Sequence, residues 1–83
     1  MPKLPRNLSG ARLILALQKL GYSQTRQNGS HVRLTCTEPK EHHITVPLHD
    51  PLRIGTLAAI IADVAQAHSV SRDEMVHKLF IQT

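Results

Sequence analysis

The spacing of hydrophobic positions along this chain changes from helical to alternating and back again. From Gly10 to Leu20, the apolar residues Leu13, Ile14, Leu17 and Leu20 recur at helical spacing, and Ala16 completes the stripe. Arg12, Gln18 and Lys19 fall largely off it. Ser9 suits an N-cap, and Gly21 supplies a C-terminal stop. The pattern predicts an amphipathic helix over 10–20, packed by one face.

After Gly21 the period drops to two. Tyr22 to Gln27 predicts a short polar strand. Asn28-Gly29 is the strongest hairpin signal in the chain and suits a type I′ turn, whose two central residues both need positive φ. Ser30 to Thr37 then alternates, with Val32, Leu34 and Cys36 on one side and His31, Arg33 and Thr35 on the other. Glu38-Pro39-Lys40-Glu41 reads as a polar turn. His42 to Val46 predicts a third strand, with Ile44 and Val46 on one face and His43 and Thr45 on the other. For like faces to meet in an antiparallel pair, Leu34 pairs with Ile44 and Val32 with Val46. Arg33 then lies opposite Thr45 and Thr35 opposite His43. The second face gathers His31, Arg33 and His43, and is expected to be polar and open.

Pro47 and Pro51 bracket a loop holding Leu48, His49 and Asp50. Ile54-Gly55-Thr56 leads into a second helix, with Leu57, Ile60, Ile61 and Val64 at helical spacing. Its alanines (Ala58, Ala59, Ala62, Ala65 and Ala67) suit close packing on a sheet. His68-Ser69 ends it. Ser71-Arg72-Asp73-Glu74 is a capping box that opens a short third helix carrying Met75, Val76, Leu79 and Phe80. The expected fold class is α+β, in the order α-β-β-β-α, with a three-stranded antiparallel sheet, helices on one of its faces and a short C-terminal helix.

Length and composition narrow the function. Eighty-three residues fit one domain, 1–83, with a thin core. The 41% hydrophobic content excludes a disordered tail. A single cysteine, Cys36, excludes an internal disulfide and points to a reducing compartment. No stretch resembles a signal peptide or reaches bilayer length, so a soluble cytoplasmic protein with no membrane partner is expected. Ten lysines and arginines against six acidic residues leave a formal charge of +4, which favours polyanions, nucleic acid first among them. With only Tyr22 and Phe80 aromatic, contacts to RNA should rest on phosphate, sugar and shape rather than on base stacking.

Cleaving RNA without a metal needs a base for the 2′-hydroxyl proton, an acid for the leaving oxygen, and positive charge beside the phosphorane. Histidine suits the first two roles and arginine the third. His31 follows the tight turn on the polar strand face, with Arg33 two residues on and pointing the same way. For such chemistry His31 would be the candidate general acid or base and Arg33 the phosphate ligand, a choice that the family resemblance given below, and not the pattern, favours. Arg26, Lys3, Ser30 and His43 are further candidate RNA contacts. On pattern alone, an ordinary solvent-facing residue is the commoner meaning of a histidine placed like His31. His42-His43 does not make a metal pair, because adjacent strand residues face opposite ways. No cysteine or carboxylate cluster has zinc spacing, and no cofactor is implied. His42 is expected at a strand end against the core edge, and His68 and His77 at the surface.

Several runs, taken in order, resemble the HicA family of toxin mRNA interferases, also called YcfA-like proteins. They are Pro2-Lys3-Leu4-Pro5 with Ser9-Gly10; Leu20-Gly21-Tyr22; Arg26-Gln27-Asn28-Gly29-Ser30-His31; His42-His43-Ile44-Thr45-Val46-Pro47; and Ile54-Gly55-Thr56-Leu57 with Ile60. The resemblance implies a double-stranded-RNA-binding-domain-like fold, ribonuclease activity on mRNA centred on a histidine, and neutralisation by a HicB-type antitoxin. The family histidine follows Gly-Ser, which is His31 here. The chain departs from the family pattern at Asn28, where a lysine is frequent. It departs again at Ala58 and Ala59, where a basic and a small polar residue are frequent. A non-catalytic RNA-binding module and a protein-docking module stay open beside the nuclease reading.

Overall fold

The computed structural model describes residues 4–81. Its elements run α1 (Gly10–Leu20), β1 (Ser23–Asn28), β2 (His31–Cys36), β3 (His42–Pro47), α2 (Ile54–Ala67) and α3 (Arg72–Phe80). The three strands form one antiparallel sheet in the order β1-β2-β3. This is the α-β-β-β-α order of a double-stranded-RNA-binding-like fold, with α3 appended. Among the described residues, no single helix is long and apolar enough to cross a membrane.

Local chemistry accounts for the element ends. The Ser9 hydroxyl accepts from the Arg12 N–H at 3.1 Å, and Gly21 closes α1 at φ 121°, a conformation that favours glycine. The Ser71 hydroxyl likewise accepts from the Glu74 N–H at 3.0 Å and starts α3. Gly10 matters for a different reason. A Cβ there would collide with the Pro47 carbonyl and crowd Leu48, so the start of α1 lies directly against the end of β3. Two backbone bonds seal that junction, from Gly10 N–H to His49 carbonyl and from Leu52 N–H to Leu8 carbonyl, both 2.8 Å.

Val32, Leu34 and Cys36 of β2 and Ile44 and Val46 of β3 turn inward. They meet Leu13, Ile14 and Leu17 of α1 and Leu57, Ile60, Ile61 and Val64 of α2 in one core, which Met75 and Val76 of α3 complete. The β2–β3 register is the one the alternation predicts, with Leu34 opposite Ile44, Val32 opposite Val46, Arg33 opposite Thr45 and Thr35 opposite His43. Every residue of β1 is exposed, because β1 overhangs the helical layer as an outer strand.

Three expectations change. The hairpin tip is Gly29-Ser30 rather than Asn28-Gly29, since Asn28 already pairs with His31 as part of the ladder. Gly29 has φ 61° while Asn28 and Ser30 do not have positive φ, so glycine holds the first central position of a type II′-like turn. Ala59 is exposed and does not pack on the sheet, whereas Ala65 and Ala67 are buried. His68 is half-buried rather than at the surface. Its Nε2 lies 3.2 Å from the Tyr22 hydroxyl, because the end of α2 packs over that ring.

Candidate nucleic-acid interface

The face of the sheet turned away from the helices is assembled by strand alternation. His31, Arg33 and Thr35 of β2 project from it, as do Thr45 and His43 of β3. β1 adds Asn28 directly opposite His31 and Arg26 directly opposite Arg33. Residues opposite each other in an antiparallel pair share a face, so these four side chains form a compact polar cluster.

The hairpin tip decides this pairing. Had residues 28 and 29 formed a two-residue loop, Arg26 would face His31. With Gly29-Ser30 at the tip, Arg26 faces Arg33 instead, just before the ladder is interrupted by a bulge at Thr25. Two arginines directly across a strand pair repel each other, and like charges in that position are destabilising. Among the described residues neither arginine has a carboxylate partner. An arginine pair without a counter-ion, flanked by hydroxyls and an imidazole, offers a phosphate the bidentate contact guanidinium groups make best. Thr25, Arg26, Arg33, Thr35 and His43 line one shallow depression there.

A chain of side-chain bonds crosses the floor of this depression. His43 Nε2 lies 3.0 Å from a Glu41 carboxylate oxygen and its Nδ1 lies 2.8 Å from the Thr35 hydroxyl. Thr35 and Thr25 hydroxyls are 3.2 Å apart, and Thr25 donates to the Arg33 carbonyl at 3.4 Å. With Nε2–H donating to Glu41, His43 Nδ1 accepts from Thr35. Glu41, Thr35 and Thr25 had no motif to announce them. A carboxylate two residues before a strand histidine was the one available signal.

Each candidate site residue among the described ones is exposed: Arg26, Ser30, His31, Arg33 and His43. Arg26, Arg33 and His43 share the depression, and His31 stands beside Asn28 at its hairpin end. Ser30 lies in the turn and its carbonyl accepts from the Leu48 N–H at 2.6 Å. Lys3 lies outside the described residues. His42 and His43 do face opposite sides of the sheet. His42 bonds beneath it to Tyr22 at 2.7 Å and to Asp63 at 3.2 Å.

Compared with known proteins, the chain matches a family model described as the HicA toxin of bacterial toxin–antitoxin systems, over residues 10–66. That span runs from the first residue of α1 to the last turn of α2 and includes the whole sheet. No curated protein and no solved structure matches the chain.

Proposed function

The chain belongs to the HicA toxin family of bacterial toxin–antitoxin systems, and from that premise we propose that it is a metal-independent endoribonuclease acting on mRNA. One domain, residues 1–83, carries the activity in the cytoplasm. The observation that carries this reading is His31, exposed on the open polar face beside Asn28 and next along the strand from an arginine pair that has no counter-ion among the described residues. A strand advances about 3.3 Å per residue, so Arg33 sits roughly 7 Å along β2 from His31. That separation suits an imidazole at the reacting phosphodiester and a guanidinium on an oxygen of that phosphate or its neighbour.

His31 acts as general base on the 2′-hydroxyl or as general acid on the leaving oxygen. Arg33 and Arg26 hold phosphate, and Ser30, His43 and Lys3 add contacts to the strand. A HicB-type antitoxin neutralises the toxin by covering this face, which withdraws His31 and both arginines from RNA together.

The test is cleavage of a long RNA by purified protein in EDTA. Cutting is expected to persist in the chelator and to stop in His31→Ala, while the melting curve stays as it was. Full cutting by His31→Ala, or loss of cutting in EDTA, overturns the reading. The arginine pair also suits a non-catalytic RNA-binding module. Such a module would leave growth unaffected by His31→Ala and sensitive only to loss of the arginines.

A further inference from the structure

We propose that His49 is the second proton-transfer group of the cleavage reaction, serving the leaving 5′-oxygen while His31 serves the 2′-hydroxyl. The inference rests on the nuclease reading above and assigns the half of the chemistry that His31 alone leaves undone.

Phosphodiester cleavage by an internal hydroxyl moves two protons at opposite ends of one phosphorus centre. The second group must therefore lie within one phosphate's reach of His31. His43 does not meet that condition. It pairs with Thr35, four residues along β2 from His31, or roughly 13 Å at strand spacing. Both of its ring nitrogens are also engaged, by Glu41 and Thr35. His42 and His68 bond to Tyr22 beneath the sheet. His77 lies on α3, which packs against α1 and α2 and not against the open face. Arginines stay protonated at any working pH and transfer no proton.

His49 remains, and the backbone places it well. His31 pairs with Pro47, the last residue of β3. The ladder runs one rung further, because Leu48 N–H donates to the Ser30 carbonyl at 2.6 Å. Position 49 lies two beyond Pro47, and the alternation of β3 carried on past its end would set it on the face of His31 and diagonal to it. Diagonal neighbours across an antiparallel pair stand about 7–8 Å apart, a gap that long or aromatic side chains close from both sides. Two imidazoles at that spacing bracket a single phosphate.

This segment is held in place rather than free. The His49 carbonyl accepts from Gly10 N–H at 2.8 Å, and Gly10 has no space for a side chain against Pro47 and Leu48. Pro47 and Pro51 flank it and fix φ on both sides. The imidazole itself is exposed. A backbone clamped on three sides below an exposed acid–base group is the arrangement a catalytic histidine needs.

Neutral His31 takes the 2′-hydroxyl proton as the 2′-oxygen bonds to phosphorus. The bond from phosphorus to the 5′-oxygen breaks, and protonated His49 gives its proton to that oxygen. The products are a 2′,3′-cyclic phosphate and a free 5′-hydroxyl, with His31 left protonated and His49 neutral until water restores both.

The test uses the full chain and two versions of one RNA oligonucleotide. The first is ordinary, and the second carries sulfur in place of the 5′-oxygen at the bond that wild-type protein is found to cut. A thiolate leaves without a proton and needs no acid. His49→Gln is expected to cut the oxygen substrate at least about 100-fold more slowly than wild type, to cut the sulfur substrate at close to the wild-type rate, and to melt like wild type. His31→Ala is expected to be slow on both. Wild-type cutting of the oxygen substrate by His49→Gln, or equal slowing on both substrates, overturns the role of His49 and leaves the nuclease reading standing. Failure of wild type to cut either substrate overturns both.

Discussion

The Tyr22 hydroxyl lies 2.7 Å from His42 Nδ1, and this bond ties the first residue of β3 to the turn that ends α1. His68 Nε2 approaches the same oxygen at 3.2 Å, and His42 Nε2 reaches Asp63 at 3.2 Å. One set of donors satisfies all three bonds with both histidines neutral. His68 Nε2–H donates to the Tyr22 oxygen, the Tyr22 hydroxyl donates to His42 Nδ1, and His42 Nε2–H donates to Asp63. Burial, helped by Cys36 and Asp63, pushes the Tyr22 pKa well above its ordinary value and keeps the hydroxyl protonated. Tyr22→Phe removes the central link and strands a nitrogen on each histidine. We expect a loss of about 1–2 kcal/mol in urea unfolding, with RNA cutting by the folded fraction unchanged.

Acid should weaken this corner. Burial first, then the charges of His42 and Lys78, lowers the His68 pKa below its ordinary 6.5. The unfolded chain therefore binds a proton at His68 more readily than the folded one, so folding stability rises with pH through this window. The contribution is complete above about pH 6.5 and is lost as pH falls toward the lowered folded value. Unfolding midpoints measured from pH 8 to pH 5 should fall on the acid side, and His68→Gln should flatten that fall. An unchanged slope in His68→Gln would show that the sensitivity lies elsewhere.

The arginine pair should trade stability for affinity. Arg26 and Arg33 stand opposite each other, and among the described residues neither has a carboxylate partner. Replacing either by Gln relieves the repulsion, and we expect unchanged or slightly raised stability, by up to about 1 kcal/mol. The same change should weaken binding to a non-cleavable 2′-O-methyl RNA. The slope of log affinity against log salt should shrink by about 0.7 for each phosphate that is no longer neutralised. Equal slopes in wild type and both variants would remove these arginines from the RNA surface.

Asn28 faces His31 across the hairpin. Asn28→Lys adds a cation directly opposite His31. Binding to the same 2′-O-methyl RNA should tighten and its salt slope should steepen by about 0.7. If affinity does not change, the phosphate does not approach that end of the sheet.

Gly10→Ala should be costly although alanine favours helices. The added methyl meets backbone atoms of Pro47 and Leu48, which cannot rotate away as a side chain would. We expect a loss of at least about 1–3 kcal/mol, the range seen for overpacking, in chemical unfolding.

Much of the fold was legible because the two hydrophobic periods are clean. Leu13, Ile14 and Leu17 disclosed α1, and Val32, Leu34, Ile44 and Val46 disclosed both a core face and a register, since parity leaves few antiparallel pairings that bring like faces together. The position of the hairpin tip was not legible. Asn-Gly and Gly-Ser are both acceptable turn pairs, and Asn28, Gly29 and Ser30 overlap, so the choice falls to cross-strand packing that β1, polar throughout, does not encode. One residue of slippage decides whether His31 or Arg33 faces Arg26. The bond between His68 and Tyr22 was hidden for a similar reason, because 46 residues separate the partners and only tertiary packing brings them together.

The bulge at Thr25 bears on how this chain behaves in a crowded cell. β1 is one of the two outer strands of the sheet, and a regular outer strand presents evenly spaced donors and acceptors that a second copy can dock against. The irregularity breaks that spacing midway, and Arg26 beside it puts like charge where two copies would approach. Edge-to-edge stacking along β1 is thereby discouraged by the backbone itself, and this edge keeps the safeguard before any other chain covers it.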